Sequence, residues 1–365
     1  MARGLYVHIP FCVRKCAYCD FVSFAHGDKN SYLDALFSEL NSRRGEAVDS
    51  IFIGGGTPSC LTAAQMERLL SYINSCFKIL PDCEWSVEAN PKTLDADKLA
   101  LMREAGVNRL SVGVQSFSDG ELLRIGRIHN SFDALQTIDL ARRAGFDNIN
   151  IDLMSALPEQ SYESFEKTLE AAVGLKPEHI SCYSLILEEG TPLYEENERG
   201  GLVLPDEETE RAMYALAQKK LAEAGYIQYE ISNFAKPNRE CRHNLKYWRC
   251  EEYIGAGLAA HSYIEGERFF NTSDLGEYLG GTHEKGRQRL TEDDKKAEFI
   301  IMALRLREGL SECEFRRRFG VDFYESYRDI TDKFLKLGLM EKTLSGFRLT
   351  DEGICVSNSV MCEYV

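Results

Sequence analysis

Cys12, Cys16 and Cys19 stand at C-x3-C-x2-C spacing in the stretch Cys12-Val13-Arg14-Lys15-Cys16-Ala17-Tyr18-Cys19. Three thiolates gathered in one short loop are a metal-binding set. A structural zinc ion normally takes four ligands, and no second C-x2-C or H-x3-H pair follows at finger or ribbon distance. Three sulfur ligands instead suit an iron–sulfur cube that keeps one iron open to an exogenous ligand. The remaining nine of the twelve cysteines, from Cys60 to Cys362, are scattered singly. They read as small interior hydrophobes.

Such a loop needs a rigid frame, and the composition allows one. The chain has 365 residues, 44% of them hydrophobic, with a formal net charge of −15 and a mean hydropathy of −0.31. That is enough apolar material for a large core and too polar for a membrane protein; no run of about 20 apolar residues is present. The acidic balance argues against a dedicated nucleic-acid or anionic-membrane binder, which needs a basic face. Cysteine density is well below that of a disulfide scaffold, and the opening Met1–Pro10 lacks a secretory apolar segment. Reduced thiols and a cytoplasmic location are expected.

Short β-branched or aromatic runs alternate with amphipathic stretches, the signature of βα units and a parallel sheet. Strands are expected at Leu5–Ile9, Ser50–Ile53, Trp85–Glu88, Arg109–Val114, Asn148–Leu153 and Ile180–Leu185. Helices are expected near Ser31–Arg43, Ala63–Phe77, Ala96–Ala105, Ser131–Ala144 and Ser161–Val173. Polar and glycine signals recur after every strand, which favours an α/β partial (β/α)6 barrel of the TIM type over a doubly wound sheet. The barrel is assigned to residues 1–234, a bridging segment to 235–290, and a small C-terminal α+β module resembling a winged helix to 291–365. The run Gly276–Thr282 reads as a loop at the last boundary. From Thr291 to Val365 there are 12 Lys+Arg against 15 Asp+Glu, so the module lacks the charge to hold phosphates.

In a barrel of this kind a ligand sits at the C-terminal strand ends. Gly54-Gly55-Gly56-Thr57-Pro58 follows the second strand, Glu88-Ala89-Asn90-Pro91 the third and Gly113-Val114-Gln115-Ser116-Phe117 the fourth, while the fifth carries Asp152. Glycines let backbone approach a ligand closely, carboxylates and amides can accept from hydroxyls or an amino group, and Arg127 suits a carboxylate.

The cysteine spacing after the first strand resembles the cluster signature of the radical S-adenosylmethionine (SAM) superfamily. There, three cysteines hold a 4Fe–4S cluster whose open iron chelates SAM, and an electron from the cluster cleaves the sulfonium. Tyr6-Val7-His8-Ile9-Pro10-Phe11-Cys12, Gly54–Pro58, Glu88–Pro91, Gly113–Phe117, Gly126-Arg127-Ile128-His129, Ile151-Asp152-Leu153 and Glu188–Pro192 are similar to the oxygen-independent coproporphyrinogen III oxidase group over almost the whole chain. The resemblance implies SAM contacts at Tyr6, Gly56, Thr57, Glu88, Gln115, Arg127 and Asp152, with Tyr18, Phe21 and Gly55 beside them. Ala156 departs from the glycine usual in that group before Leu-Pro.

Two absences separate the chain from the oxidases of the group. Phe21 stands where they carry a fourth cysteine, and no extension precedes the first strand. The string Arg242-His243-Asn244-Leu245-Lys246-Tyr247-Trp248 resembles the heme-chaperone branch. His243 and Tyr247 would share a helical face beside an indole; imidazole is a usual donor to heme iron and aromatics suit a porphyrin plane. A core histidine satisfied by backbone is the plain alternative for His243, and His261 competes as the heme-facing imidazole; Tyr247 and Trp248 join the expected heme contacts. The resemblance implies a chaperone that binds cluster, SAM and heme and passes heme to an acceptor, a heme-dependent respiratory enzyme, with a separate electron donor. Rival readings are coproporphyrinogen III decarboxylation, radical modification of heme, and a zinc-stapled binding module.

Overall fold

A computed structural model describes residues 2–365. Six strands, β1 (Arg3–Ile9), β2 (Ala47–Gly55), β3 (Lys78–Ala89), β4 (Arg109–Gln115), β5 (Ile149–Ser155) and β6 (His179–Ser184), pair in parallel in consecutive order. Each of the first five is followed by a return helix: Lys29–Asn41, Ala63–Cys76, Ala96–Ala105, Ser131–Arg143 and Tyr162–Gly174. The helices start where side chains satisfy the free N–H groups, at Asp28, Thr62, Asp95, Asn130 and Ser161. Thr62 with Gln65 and Asn130 with Asp133 complete capping boxes.

β1 and β6 do not meet, so this is the expected partial (β/α)6 barrel. The β6 edge is covered by an antiparallel hairpin of β7 (Ile227–Gln228) and β8 (Asn233–Ala235). The β1 edge is covered by β9 (Tyr253–Ala256) in parallel, and β10 (His261–Ile264), β11 (Glu267–Asn271) and β12 (Glu284–Arg289) extend the sheet antiparallel. Among the described residues no helix is long and apolar enough to cross a membrane.

Strand positions follow the sequence pattern where both faces are covered. All seven residues of β4 are buried, as a strand between two parallel neighbours must be. β3 begins seven residues earlier than its apolar run because Lys78 and Ile79 pair with Ala47 and Val48 of β2 ahead of a register shift. Gly276–Thr282, expected as a loop, contains most of a helical turn, Leu275–Leu279, capped by Asp274. Tyr278 at its centre is fully buried, stacks on Tyr32 and donates to Glu39 Oε2 at 2.6 Å.

Residues beyond Glu292 form their own core around a small sheet of β13 (Leu310–Ser311), β14 (Met340–Lys342) and β15 (Gly346–Leu349). Phe315 is fully buried, with Phe299, Phe319, Phe323 and Tyr327 rings 4.8 to 6.3 Å from its own. Arg305 ties the module to the barrel side, stacking on Trp248 at 4.4 Å and pairing with fully buried Glu230 at 3.4 Å. Phe315→Ala should cost about 3–5 kcal/mol in urea unfolding; a loss below about 1 kcal/mol would show that this aromatic cluster does not hold the module.

Candidate functional site

The cysteine loop leaves the end of β1 and is fastened along its length. Cys12 N–H donates to Phe24 O at 2.9 Å and Phe24 N–H to Pro10 O at 2.8 Å. In the middle, Ala17 N–H donates to Ile125 O, Leu193 N–H to Ala17 O, and the Arg14 guanidinium clamps Gly126 O and Arg127 O. Cys12, Cys16 and Cys19 all line one cavity of about 380 Å³. Among the described residues no three His, Cys, Asp or Glu side chains are gathered on a single-ion site; the thiols are spread around the cavity wall.

Two side-chain donors serve these sulfurs: Thr57 Oγ1 to Cys12 Sγ and Arg127 Nη1 to Cys16 Sγ, each at 3.4 Å. A hydroxyl and a buried guanidinium are donors from which a metal-bound sulfur can accept. Burial pushes the Cys19 thiol up to about 11, so its thiolate forms when a metal or cation takes the proton's place. Donor set and charge both fit a cluster held by three thiolates.

The rest of the cavity is made by successive strand ends. Tyr18, Phe21, Gly55, Gly56, Thr57, Glu88, Gln115, Arg127 and Asp152 line it together with the cysteines. Nine of the ten expected SAM contacts are therefore brought to one place. Tyr6 is the exception: it lines the neighbouring cavity and bonds through its hydroxyl to His8 Nδ1 at 3.0 Å. Gly55 and Gly56 are required by protein contacts as well as by openness. A Cβ on Gly56 would lie 2.7 Å from Phe11 O, and one on Gly55, at φ +108°, 2.6 Å from the His8 ring. Gln115 ends β4 at φ +70°, a strained backbone of the kind concentrated at binding sites, and accepts from the Tyr183 hydroxyl at 3.3 Å.

Charge in this pocket is held by hydrogen bonds among buried groups. Arg127 donates to Asn90 Oδ1 at 2.5 Å and to Gly113 O, leaving its buried Nε without a partner. Asp152 accepts from Asn150 Nδ2 at 2.6 Å and Ser111 Oγ at 3.4 Å. Glu88 accepts from Gly55 N–H at 3.1 Å. Burial first, then the Asp152 charge, raises its carboxyl from 4.5 to about 8 against the pull of Gly55 and Arg109. Asn90, Ser111, Met154, Tyr183, Ser184 and Ile186 also line the wall. Their positions at or just past strand ends were the available signal.

A second cavity of about 590 Å³ adjoins the first and shares Asp20, Phe21 and Gly55 with it. Its walls are aromatic and apolar: Tyr6, Val22, Tyr247, Trp248, Tyr253, Tyr263 and Met302, with His8, Cys250, His261 and Arg268. Tyr247 and Trp248 thus sit where a flat ligand could lie, but His243 does not. It is buried, donates its backbone N–H to Glu84, and has both ring nitrogens engaged, Nδ1 with Ser50 Oγ at 3.0 Å and Nε2 with the Tyr247 hydroxyl at 2.8 Å. Expected as a heme contact, His243 lies outside this cavity's wall, because helix Arg242–Trp248 turns it inward toward Ser50 and Glu84. Of the nine remaining cysteines, Cys76, Cys83, Cys182 and Cys241 are buried as expected, whereas Cys313, Cys355 and Cys362 are exposed.

Two outcomes follow for the first cavity. The folded chain keeps a proton on Glu88 that the unfolded chain releases near 4.5. The stability this gives is full below that pH and is lost as pH rises through about 8. Glu88→Gln, neutral at every pH, should flatten the fall in melting temperature between about pH 5 and about pH 9; parallel curves would place Glu88 outside a desolvated pocket. Cys16→Ser should abolish the iron and sulfide, about four of each per chain, that anaerobic reconstitution adds, and retention of both would remove Cys16 from the ligand set.

Comparison with known proteins agrees with this geometry. Residues 6–172 match the radical SAM superfamily and residues 290–356 the HemN C-terminal domain. The chain is 38% identical to the heme chaperone HemW of Bacillus subtilis, with 98% of each chain covered. It is 36% identical to that of Escherichia coli, covering 98% of this chain and 97% of the other. Among solved structures, coproporphyrinogen III oxidase (HemN) from Escherichia coli superposes with a TM-score of 0.86 at 25% identity, covering 100% of this chain and 90% of that one. Near-full-length identity above a third, carried on a cysteine loop and a strand-end pocket of this form, shows that the chain belongs to the HemW family of the radical SAM superfamily, a membership that implies a 4Fe–4S cluster and SAM.

Proposed function

We propose that the chain is a heme chaperone: it holds a 4Fe–4S cluster and SAM in the first cavity and heme in the second, and releases heme to an acceptor protein. The observation that carries this reading is the aromatic cavity of about 590 Å³ set against the cysteine cavity. Its volume lies within the range of small-molecule sites and its walls are of the apolar, aromatic kind such sites use. Trp248 lines it, with the Arg305 guanidinium 4.4 Å from its ring.

A cluster with an open iron, once bound, supplies single electrons to the sulfonium of SAM. The chain's own part is binding and exclusion. Cys12, Cys16 and Cys19 hold the cluster; Arg14 braces the loop from outside; Thr57 and Arg127 donate to two of the sulfurs. Glu88 and Asp152 offer carboxylates to the cationic and hydroxylated parts of SAM, Gln115 an amide, and Gly55 and Gly56 an open floor, with Tyr18 and Phe21 closing the rim. An amino group docking on Glu88 would displace its proton, because a neighbouring cation favours carboxylate. Phe21, at the junction of both cavities and 59% exposed, presents a ring to a porphyrin where a sulfur ligand would present reactive chemistry. The acceptor we infer is a heme-dependent respiratory enzyme, and the electron donor a separate protein.

The fold shared with coproporphyrinogen III oxidase supports one competing reading, oxidative decarboxylation of porphyrinogen propionates. The two separate in one experiment. Reconstituted protein titrated with heme should give a saturable Soret band at about one heme per chain, and the same preparation with SAM and a reductant should leave coproporphyrinogen III unchanged. Conversion to protoporphyrinogen would replace the chaperone reading with the oxidase.

A further inference from the structure

We propose that His261 is the axial ligand to the iron of a porphyrin bound in the aromatic cavity; this rests on the heme-binding reading above and assigns its iron-binding atom. Two histidines line that cavity, His8 and His261. His8 is spoken for: Nδ1 bonds the Tyr6 hydroxyl and Nε2 bonds Val22 O, each at 3.0 Å. Coordination by His8 would break one of these bonds beside the cysteine loop. His261 has no hydrogen-bond partner on either ring nitrogen among the described residues, and it is exposed to the cavity.

The backbone that carries His261 is held by its neighbours. His261 opens β10 opposite Phe270 on β11, and the two rings stack at 5.4 Å with an interplanar angle of 25°. Behind it, Gly255 of β9 packs directly on the His261 backbone, where a Cβ would collide with His261 O, and Gly255 N–H donates to Ser262 Oγ at 2.9 Å. The preceding turn runs through Ala259 at φ +55°, a left-handed backbone that non-glycine residues rarely hold. The turn places two methyl side chains, Ala259 and Ala260, on the cavity wall beside the imidazole. Small neighbours leave clearance for the face of a macrocycle, and a ligand on a strand with fixed backbone is pre-organised.

Tyr247, Tyr253 and Cys250, which also line the cavity, are weaker candidates. The Tyr247 hydroxyl is engaged by His243 and that of Tyr253 accepts from Arg268 at 3.2 Å. Burial lifts the Cys250 thiol to about 11, which keeps it protonated. His261 is shifted the opposite way, by burial and then by the Arg268 charge, toward the neutral imidazole that binds iron.

The test uses the full reconstituted chain with ferric heme. Wild type should show a nitrogen-ligated optical and electron paramagnetic resonance signature. His261→Ala should change that signature and weaken heme binding about ten- to a hundredfold, while keeping the wild-type melting temperature. Added imidazole should restore the wild-type spectrum in His261→Ala. An unchanged spectrum and affinity in the variant, or a thiolate signature in wild type, would overturn the assignment while leaving heme binding intact. A wild-type chain that fails to bind heme would instead remove the chaperone reading on which the assignment rests.

Discussion

The close approach of β2 to β1 at Gly55 and Gly56 is the contact on which both cavities depend. Gly56 N–H donates to Ile9 O at 2.9 Å and Thr57 N–H to Phe11 O at 2.7 Å, so the end of the second strand is sewn to the residues that lead into Cys12. Side chains at either glycine would push these strands apart, since their Cβ atoms would strike the His8 ring or the Phe11 backbone. The same contact sets the Thr57 hydroxyl against the Cys12 sulfur and puts Gly55 in the wall between the two cavities. A mononuclear site could be built from side chains alone. A cluster site needs the loop held open at a fixed distance from the strand ends, and that is a backbone problem.

The barrel interior is the second constraint. Arg109 is almost completely buried beneath the site, 3.4 Å from Ser86 Oγ, among Glu84, Asp152, Cys241 and Tyr229. A buried cation among acids is tolerated because each is partly neutralised by the others. Helix Arg242–Trp248 seals this set from below: His243 N–H donates to Glu84 Oε1 at 3.2 Å and its ring bridges Ser50 to Tyr247. One helix thereby closes the polar core with His243 and presents Tyr247 and Trp248 to the aromatic cavity, so a string of neighbouring residues serves two different spaces.

This double use explains where the sequence could be read and where it could not. Cys12, Cys16 and Cys19 are contiguous, so their convergence is local and needs no tertiary knowledge. Glu88, Gln115 and Asp152 were legible because a parallel barrel delivers every strand end to the same mouth. The i to i+4 spacing correctly joined His243 to Tyr247, but their partners, Ser50 and Glu84, lie far away in the chain, and nothing local said which side of the helix faced the interior. The second cavity was not legible as a unit. It is assembled from β1, helix Arg242–Trp248, the antiparallel strands β9 to β11 and Met302 of the C-terminal module, with no shared periodicity. Ala156 shows a quieter loss: its φ of +56° is the backbone that a glycine there would adopt freely, which the residue type alone did not reveal.

The account stands on two ligand spaces separated by Phe21. The most direct measurement is a crystal structure of the anaerobically reconstituted chain with SAM and heme, read by anomalous scattering at the iron edge. It predicts a cluster peak at Cys12, Cys16 and Cys19 and a separate single-iron peak inside the cavity lined by Tyr247, Trp248 and His261, with the porphyrin against Phe21. A heme iron found elsewhere on the chain, with the aromatic cavity empty, would contradict it.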